Sequence, residues 1–245
     1  MLSRMVKKAR YSKAFQRVHQ TVTLAPQERM LDMAFAFARW GRLPGDYLEF
    51  GVFDGWSLTA AYHLAQKHRL NGMRFLGFDS FDGLPASDDV DGYPFQQFTR
   101  GQLKCDQRTV EANLRRDGVD MSKVELTKGW YSDTLTDQTR QRLNLRQAAV
   151  VWVDCDLYSS TVPVLDFILP VLQDGTVLIM DDWFLFRAHP DRGERKAFGE
   201  WLARNPDVEV TPFAKPGWHE ASFIAHLRGD RAPVEKLAET SAVAP

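Results

Sequence analysis

The sequence predicts an α/β domain with a central, mostly parallel sheet of seven strands and helices on both faces, and three observations carry that expectation. Short apolar, β-branched runs alternate along the chain with segments of helical period. Two of the runs, Ala148–Val153 and Thr176–Met180, are almost entirely apolar, as strands buried on both faces are. Each ends abruptly in acidic side chains, Asp154 and Asp156 after the first, Asp181 and Asp182 after the second.

Composition bounds the function. Of 245 residues, 44% are hydrophobic and 26% charged, which suits one sizeable α/β domain. A net charge of −1 argues against nucleic acid as a partner. Cys105 and Cys155 are too few for a disulfide scaffold, so a reducing cytoplasm is the expected compartment. No run is long enough to span a bilayer, and the N-terminus lacks the apolar core of a secretory signal.

The chain divides into a basic arm and helix (1–40), a main domain (41–228) and a tail expected to fray (229–245). Met1 to Gln27 carries no acid but has Arg4, Lys7, Lys8, Arg10, Lys13 and Arg17, with Phe15 and Val18 at helical spacing. It reads as a solvated helix packed on its own domain or on a neighbouring subunit; an anionic surface, an acidic partner and a transit role are the alternatives. Pro26 then opens a helix through Trp40, with Met30, Met33, Ala34 and Phe37 on one face.

The first strand, Tyr47–Val52, runs into a turn containing Gly51 and Gly55 and a helix from Leu58 to about His68. Such a turn lets the backbone approach a ligand at a helix N-terminus, but it lacks the Gly-x-Gly-x-x-Gly spacing of a dinucleotide site. The second strand, Arg74–Phe78, ends at Asp79, where sheets of this kind bind the two hydroxyls of a ribose; a turn-forming role before Ser80 is the alternative. Ala86 to Asp106 is a long polar loop with Asp88, Asp89, Asp91, Tyr93 and Phe95, expected to cover a bound acceptor. A helix over Arg108–Arg116 and a strand over Val124–Lys128 lead to Trp130 and Tyr131, candidates to stack on a flat ring, with plain packing as the alternative. Past Asp182, the run Trp183–Phe186 suits an apolar wall. A helix over Arg192–Arg204, a strand near Val208–Val210, a loop from Pro212 to His219 and a last strand over Ala221–Leu227 complete the chain.

The two acid-tipped strands and the helix between them read as one βαβ unit. Its right-handed crossover brings both strand ends to the edge where open α/β sheets bind ligands. Asp154, Asp181 and Asp182 are expected to converge there. Clustered carboxylates repel one another and hold raised pKa values unless a cation neutralises them, and oxygen-only ligation favours magnesium, manganese or calcium over zinc. Capping of the following helices is the plainer alternative for any one of these aspartates.

Taken in order, Glu49–Ser57, Gly77–Pro85, Lys128–Leu135, Asp154–Thr161 and Asp181-Asp182 resemble the macrocin O-methyltransferase family, which includes the mycinamicin and novobiocin sugar methyltransferases. The resemblance covers roughly Tyr47 to Trp183. It implies a Rossmann-like class I methyltransferase fold, S-adenosylmethionine as methyl donor and a magnesium ion held by Asp154, Asp181 and Asp182. It also implies a sugar hydroxyl of a glycosylated small molecule as acceptor, and a homo-oligomer, dimer or larger. Cys155 stands where the family usually has Gly, and Asp174-Gly175 where it has Gly-Gly.

On that footing the donor lies across Glu49, Gly51, Gly55 and Ser57, with Asp79 on the ribose and Ser80 and Trp130 bordering the adenine. Asp156 shares a face with Asp154 and is the expected general base, with a helix-cap role as its alternative; His189 and His219 are further candidate bases. The rival functions are a nucleotide-dependent oxidoreductase, against which the missing glycine fingerprint counts, and a non-catalytic donor-binding module, against which the intact acids count.

Overall fold

The computed structural model describes residues 25–86, 90–91 and 98–228. The basic arm through position 24, the loop residues Asp88, Asp89, Tyr93 and Phe95, and the tail from 229 lie outside the described residues.

The strands form where the apolar runs lie: β1 Asp46–Phe50, β2 Phe75–Asp79, β3 Val124–Lys128, β4 Ala148–Val153, β5 Val177–Met180, β6 Val208–Pro212 and β7 Ala221–Leu227. The helices are α1 Pro26–Gly41, α2 Trp56–Lys67, α3 Gln107–Arg116, the short α4 Tyr131–Thr134 and α5 Asp137–Arg142, α6 Tyr158–Ile168 and α7 Gly193–Arg204. One sheet joins the strands in the order β3-β2-β1-β4-β5-β7-β6. β1 to β5 pair in parallel, and β7 runs antiparallel between β5 and β6.

Side-chain alternation splits the core between the two faces of the sheet. Phe50, Val151, Val153, Leu178 and Met180 pack beneath α6 and α7, while Tyr47, Val150, Trp152, Val177 and Ile179 pack beneath α1 and α2. The strand order reverses between β1 and β4, which opens a crevice at the carboxyl edge. Register levels that edge: Phe50 pairs with Phe78 and Val153, and Val153 with Met180. Gly51, Asp79, Asp154 and Asp181 therefore leave the sheet side by side.

Two features depart from the sequence reading. The stretch after Trp130 holds α4 and α5, each too short for a hydrophobic period to register; Thr136 caps α5 by accepting the Thr139 N–H at 3.2 Å. α6 continues through Pro163, which donates no backbone hydrogen bond. Among the described residues no helix is long and apolar enough to cross a membrane.

Candidate active site

A cavity of about 500 Å³ opens at the carboxyl edge, a size suited to a small-molecule ligand. Its walls include Gly51, Asp79, Ser80, Trp130, Asp154 and Asp156. Gly51 has φ +95°, and a Cβ there would stand 1.8 Å from the Asp154 carbonyl oxygen, so only glycine lets β1 pass this close to β4. Asp79 braces the turn that follows. Its Oδ2 accepts the Val52 and Phe53 N–H groups at 2.8 and 3.0 Å, and its Oδ1 accepts the Phe81 N–H at 2.6 Å. A carboxylate offers about four lone-pair directions, so capacity for a further donor remains.

Glu49, Gly55 and Ser57 do not line this cavity. Glu49 is fully buried, where its carboxylate accepts the Tyr47 hydroxyl at 2.5 Å and the Ser57 hydroxyl at 2.8 Å. Burial nevertheless pushes its pKa up to about 8. Gly55, at φ +86°, is the residue that precedes α2. Ser80 turns into its own loop, its hydroxyl donating to the Gly83 carbonyl at 2.9 Å. Trp130 is 39% exposed against the cavity.

The acids gather on the β4 and β5 side. Carboxylate oxygens of Asp154, Asp156 and Asp182 lie within 4.8 Å of one another, and the same spacing joins Asp181, Asp182 and His219. The expected trio of Asp154, Asp181 and Asp182 is thus divided between two groups that share Asp182. That residue is held at both ends: its Oδ2 accepts the Asp156 N–H at 2.9 Å, and its own N–H donates to Glu194 Oε2 at 3.1 Å. His219 Nδ1 sits 2.8 Å from the Asp181 carbonyl oxygen, and its Nε2 sits 3.2 Å from the Gln27 side-chain nitrogen and 3.5 Å from Glu220 Oε2. His189 is exposed and accepts the Asp191 N–H within its own turn, away from the acids.

Burial first, and mutual repulsion second, drive the pKa values of Asp154, Asp156 and Asp181 upward, and burial does the same to Asp182. Glu194 and Glu220 surround the group and are buried, at 1% and 0% exposure. Asp181 Oδ1, Glu194 Oε1 and both Glu220 oxygens have no hydrogen-bond partner among the described residues. The all-oxygen group of Asp154, Asp156 and Asp182, with the orphaned Asp181 oxygen on the neighbouring residue, fits a hard divalent cation.

Sequence reasoning missed Glu194 and Glu220. An acid in the first turn of a helix reads as a complement to the helix dipole, and Glu220 reaches the cluster only because β7 inserts beside β5.

A seven-stranded sheet with this strand order and this edge defines a class I methyltransferase fold. Two solved structures share it: the O-methyltransferase NovP, at TM-score 0.69 and 20% identity over 83% of this chain and 80% of that one, and the calicheamicin methyltransferase CalS11, at TM-score 0.65 and 22% identity over 91% and 90%. Residues 3–194 match the Macrocin-O-methyltransferase (TylF) family, and the chain belongs to that family. Among relatives, it is 33% identical over 145 residues to the 8-demethyl-8-(2,3-dimethoxy-alpha-L-rhamnosyl)-tetracenomycin-C 4'-O-methyltransferase of Streptomyces olivaceus, covering 58% of this chain and 54% of that one. It is 30% identical over 148 residues to the Mycinamicin III 3''-O-methyltransferase of Micromonospora griseorubida, covering 58% and 56%. The chain thus spans little more than half the length of these relatives.

Proposed function

We propose that the protein is a cytoplasmic, homo-oligomeric O-methyltransferase that uses S-adenosylmethionine and magnesium to methylate a hydroxyl of a sugar or glycosylated small molecule. The carrying observation is a cavity of about 500 Å³ at the sheet edge whose wall includes Asp154 and Asp156, two members of a carboxylate group completed by the buried Asp182. Family membership and the sugar positions in the relatives' names support the acceptor class.

The donor lies over β1 and β2. Gly51 and Gly55 keep the turn close to it, Asp79 accepts from the ribose with its remaining lone pairs, and Ser80 and Trp130 border the adenine. Glu49 and Ser57 support the turn from beneath. The acceptor lies over β4 and β5, where its oxygen attacks the sulfonium methyl carbon in line, and the carbon–sulfur bond breaks with its electron pair going to sulfur. Asp154, Asp181 and Asp182 hold the cation, which when bound supplies the positive charge that lowers the acceptor hydroxyl's pKa. Asp156 takes the hydroxyl proton. Its pKa is pushed up to about 10 by burial first and by Asp182 and Asp154 after it, and a cation beside those neighbours would relieve only their share.

The test is methyl transfer from labelled S-adenosylmethionine to an aryl α-L-rhamnoside and other diol-bearing glycosides, with EDTA and with magnesium added back. Transfer that stops in EDTA and returns with magnesium is expected. Undiminished transfer in EDTA would remove the metal, and nicotinamide cofactor binding without S-adenosylhomocysteine binding would replace the whole reading.

A further inference from the structure

We propose that Asp91 is a positioning residue for Asp156, fixing the turn that aims the Asp156 carboxylate into the acid cluster. The inference rests on the reading of Asp156 as the proton acceptor.

Asp91 comes from the long loop between β2 and α3, yet it is buried to 1% exposure. Its Oδ1 accepts the Gly193 N–H at 2.8 Å, and its Oδ2 accepts the Tyr158 N–H. Tyr158 is the first residue of α6 and Gly193 the first of α7. The residues preceding these helices, Leu157 and Arg192, make no side-chain cap hydrogen bond. One carboxylate from a distant segment therefore caps two helices, where both dipoles favour its negative charge. Arg192 in turn donates to the carbonyl of Val90, the residue before Asp91.

Asp156 lies beside both capped residues. It has φ +59°, a left-handed conformation that a non-glycine residue keeps only where its surroundings hold it. Tyr158 follows it by two residues, and a Cβ on Gly193 would stand 3.5 Å from the Asp156 carbonyl oxygen. Without Asp91, the part-buried Tyr158 N–H and the buried Gly193 N–H lose their acceptor, and the bond from the Asp156 N–H to Asp182 alone does not hold the turn. The carboxylate of Asp156 then leaves Asp154 and Asp182. Gly51, Asp79 and Trp130, on other strand ends, keep their places around the donor.

The experiment compares the full chain with D91A, D91N, D156N and D91A/D156N by crystallography and by manganese(II) and S-adenosylhomocysteine titration. D91A is expected to take Asp156 out of the left-handed region and, because the Asp156 carboxylate lies within 4.8 Å of those of Asp154 and Asp182, to weaken manganese binding about tenfold, the scale for losing a group that supports the metal's ligands. S-adenosylhomocysteine affinity should stay within about twofold. D91N keeps one acceptor oxygen and should fall between D91A and the wild type; it carries the comparison if D91A does not fold. In the D156N background, removing Asp91 should add less than about twofold, because it acts through the missing carboxylate. An unmoved Asp156 turn in the variant crystal, or the same loss in both backgrounds, overturns the proposal. A wild-type chain that binds neither probe counts against the methyltransferase reading instead, and the Asp156 turn in the variant crystal still decides the role of Asp91.

Discussion

The two halves of the carboxyl edge treat their acids in opposite ways. Over β1 and β2, Asp79 is satisfied by three backbone N–H groups and Glu49 by two hydroxyls. Over β4 and β5, carboxylates face one another, and Asp181, Glu194 and Glu220 keep oxygens with no partner among the described residues. A satisfied acid, whether fully buried like Glu49 or half-buried like Asp79, is architecture, because removing its charge strands the donors that served it. An unsatisfied one is a standing cost that only a proton or a cation relieves. The contrast separates a half whose acids are spent on bracing the backbone from a half whose acids are left to handle charge.

The harshest way to break the contrast is at the seam between the halves. Gly51→Ala drives a methyl group into the Asp154 carbonyl, and a loss of about 4 kcal/mol or more in urea denaturation is expected. Asp181→Asn with Asp182→Asn should cut methyl transfer by about 100-fold or more while raising the Tm of metal-free protein at pH 8, since two mutually repelling buried groups are neutralised. A lower Tm would count against the idea that these acids are strained. Asp79→Asn should act with the opposite sign on stability, costing about 1–3 kcal/mol by thermal denaturation, because an amide nitrogen replaces one acceptor oxygen.

pH sharpens the same point. The Asp154 carboxyl is raised from 3.8 to about 8 in the folded protein, by burial first and Asp182 second. The folded state therefore holds a proton that the unfolded state has released. The associated stability is fully present below the unfolded pKa and is lost as pH rises through about 8. In EDTA the Tm should fall from pH 6 to pH 8.5, and magnesium should restore most of it at the upper end; a flat profile in EDTA would sink the assignment. The smallest effect is expected at Ser57→Ala. Loss of its bond to Glu49 should cost about 1 kcal/mol of stability, and calorimetry with S-adenosylhomocysteine tells whether the residue also touches the donor.

Sequence periodicity located the parallel core well, because strands buried on both faces announce themselves as apolar runs; β3 and β7 have the bounds the pattern predicts. The crossover rule was enough to bring Asp154, Asp181 and Asp182 to one edge. What stayed hidden depends on long-range placement. Asp91 looks like any acid in a polar loop until α6 and α7 arrive on either side of it. Glu49 looks like a motif residue facing the ligand until Tyr47 and Ser57 enclose it, since nothing in the spacing tells which sheet face is wet. The exchange of β7 and β6 in the strand order is likewise invisible, because an antiparallel insertion leaves no local mark.

That exchange sets an order of assembly on the ribosome. Everything that lines the edge cavity has been translated before Trp218, whereas His219 and Glu220, beside the acids, emerge just ahead of β7. Until β7 is made, β5 presents a bare hydrogen-bonding rim, and β6, already synthesised, has no strand to lie against. A pause in translation upstream of Ala221 would leave that rim open to pairing with a foreign strand, so the nascent chain is most vulnerable to mispairing just before its last strand emerges.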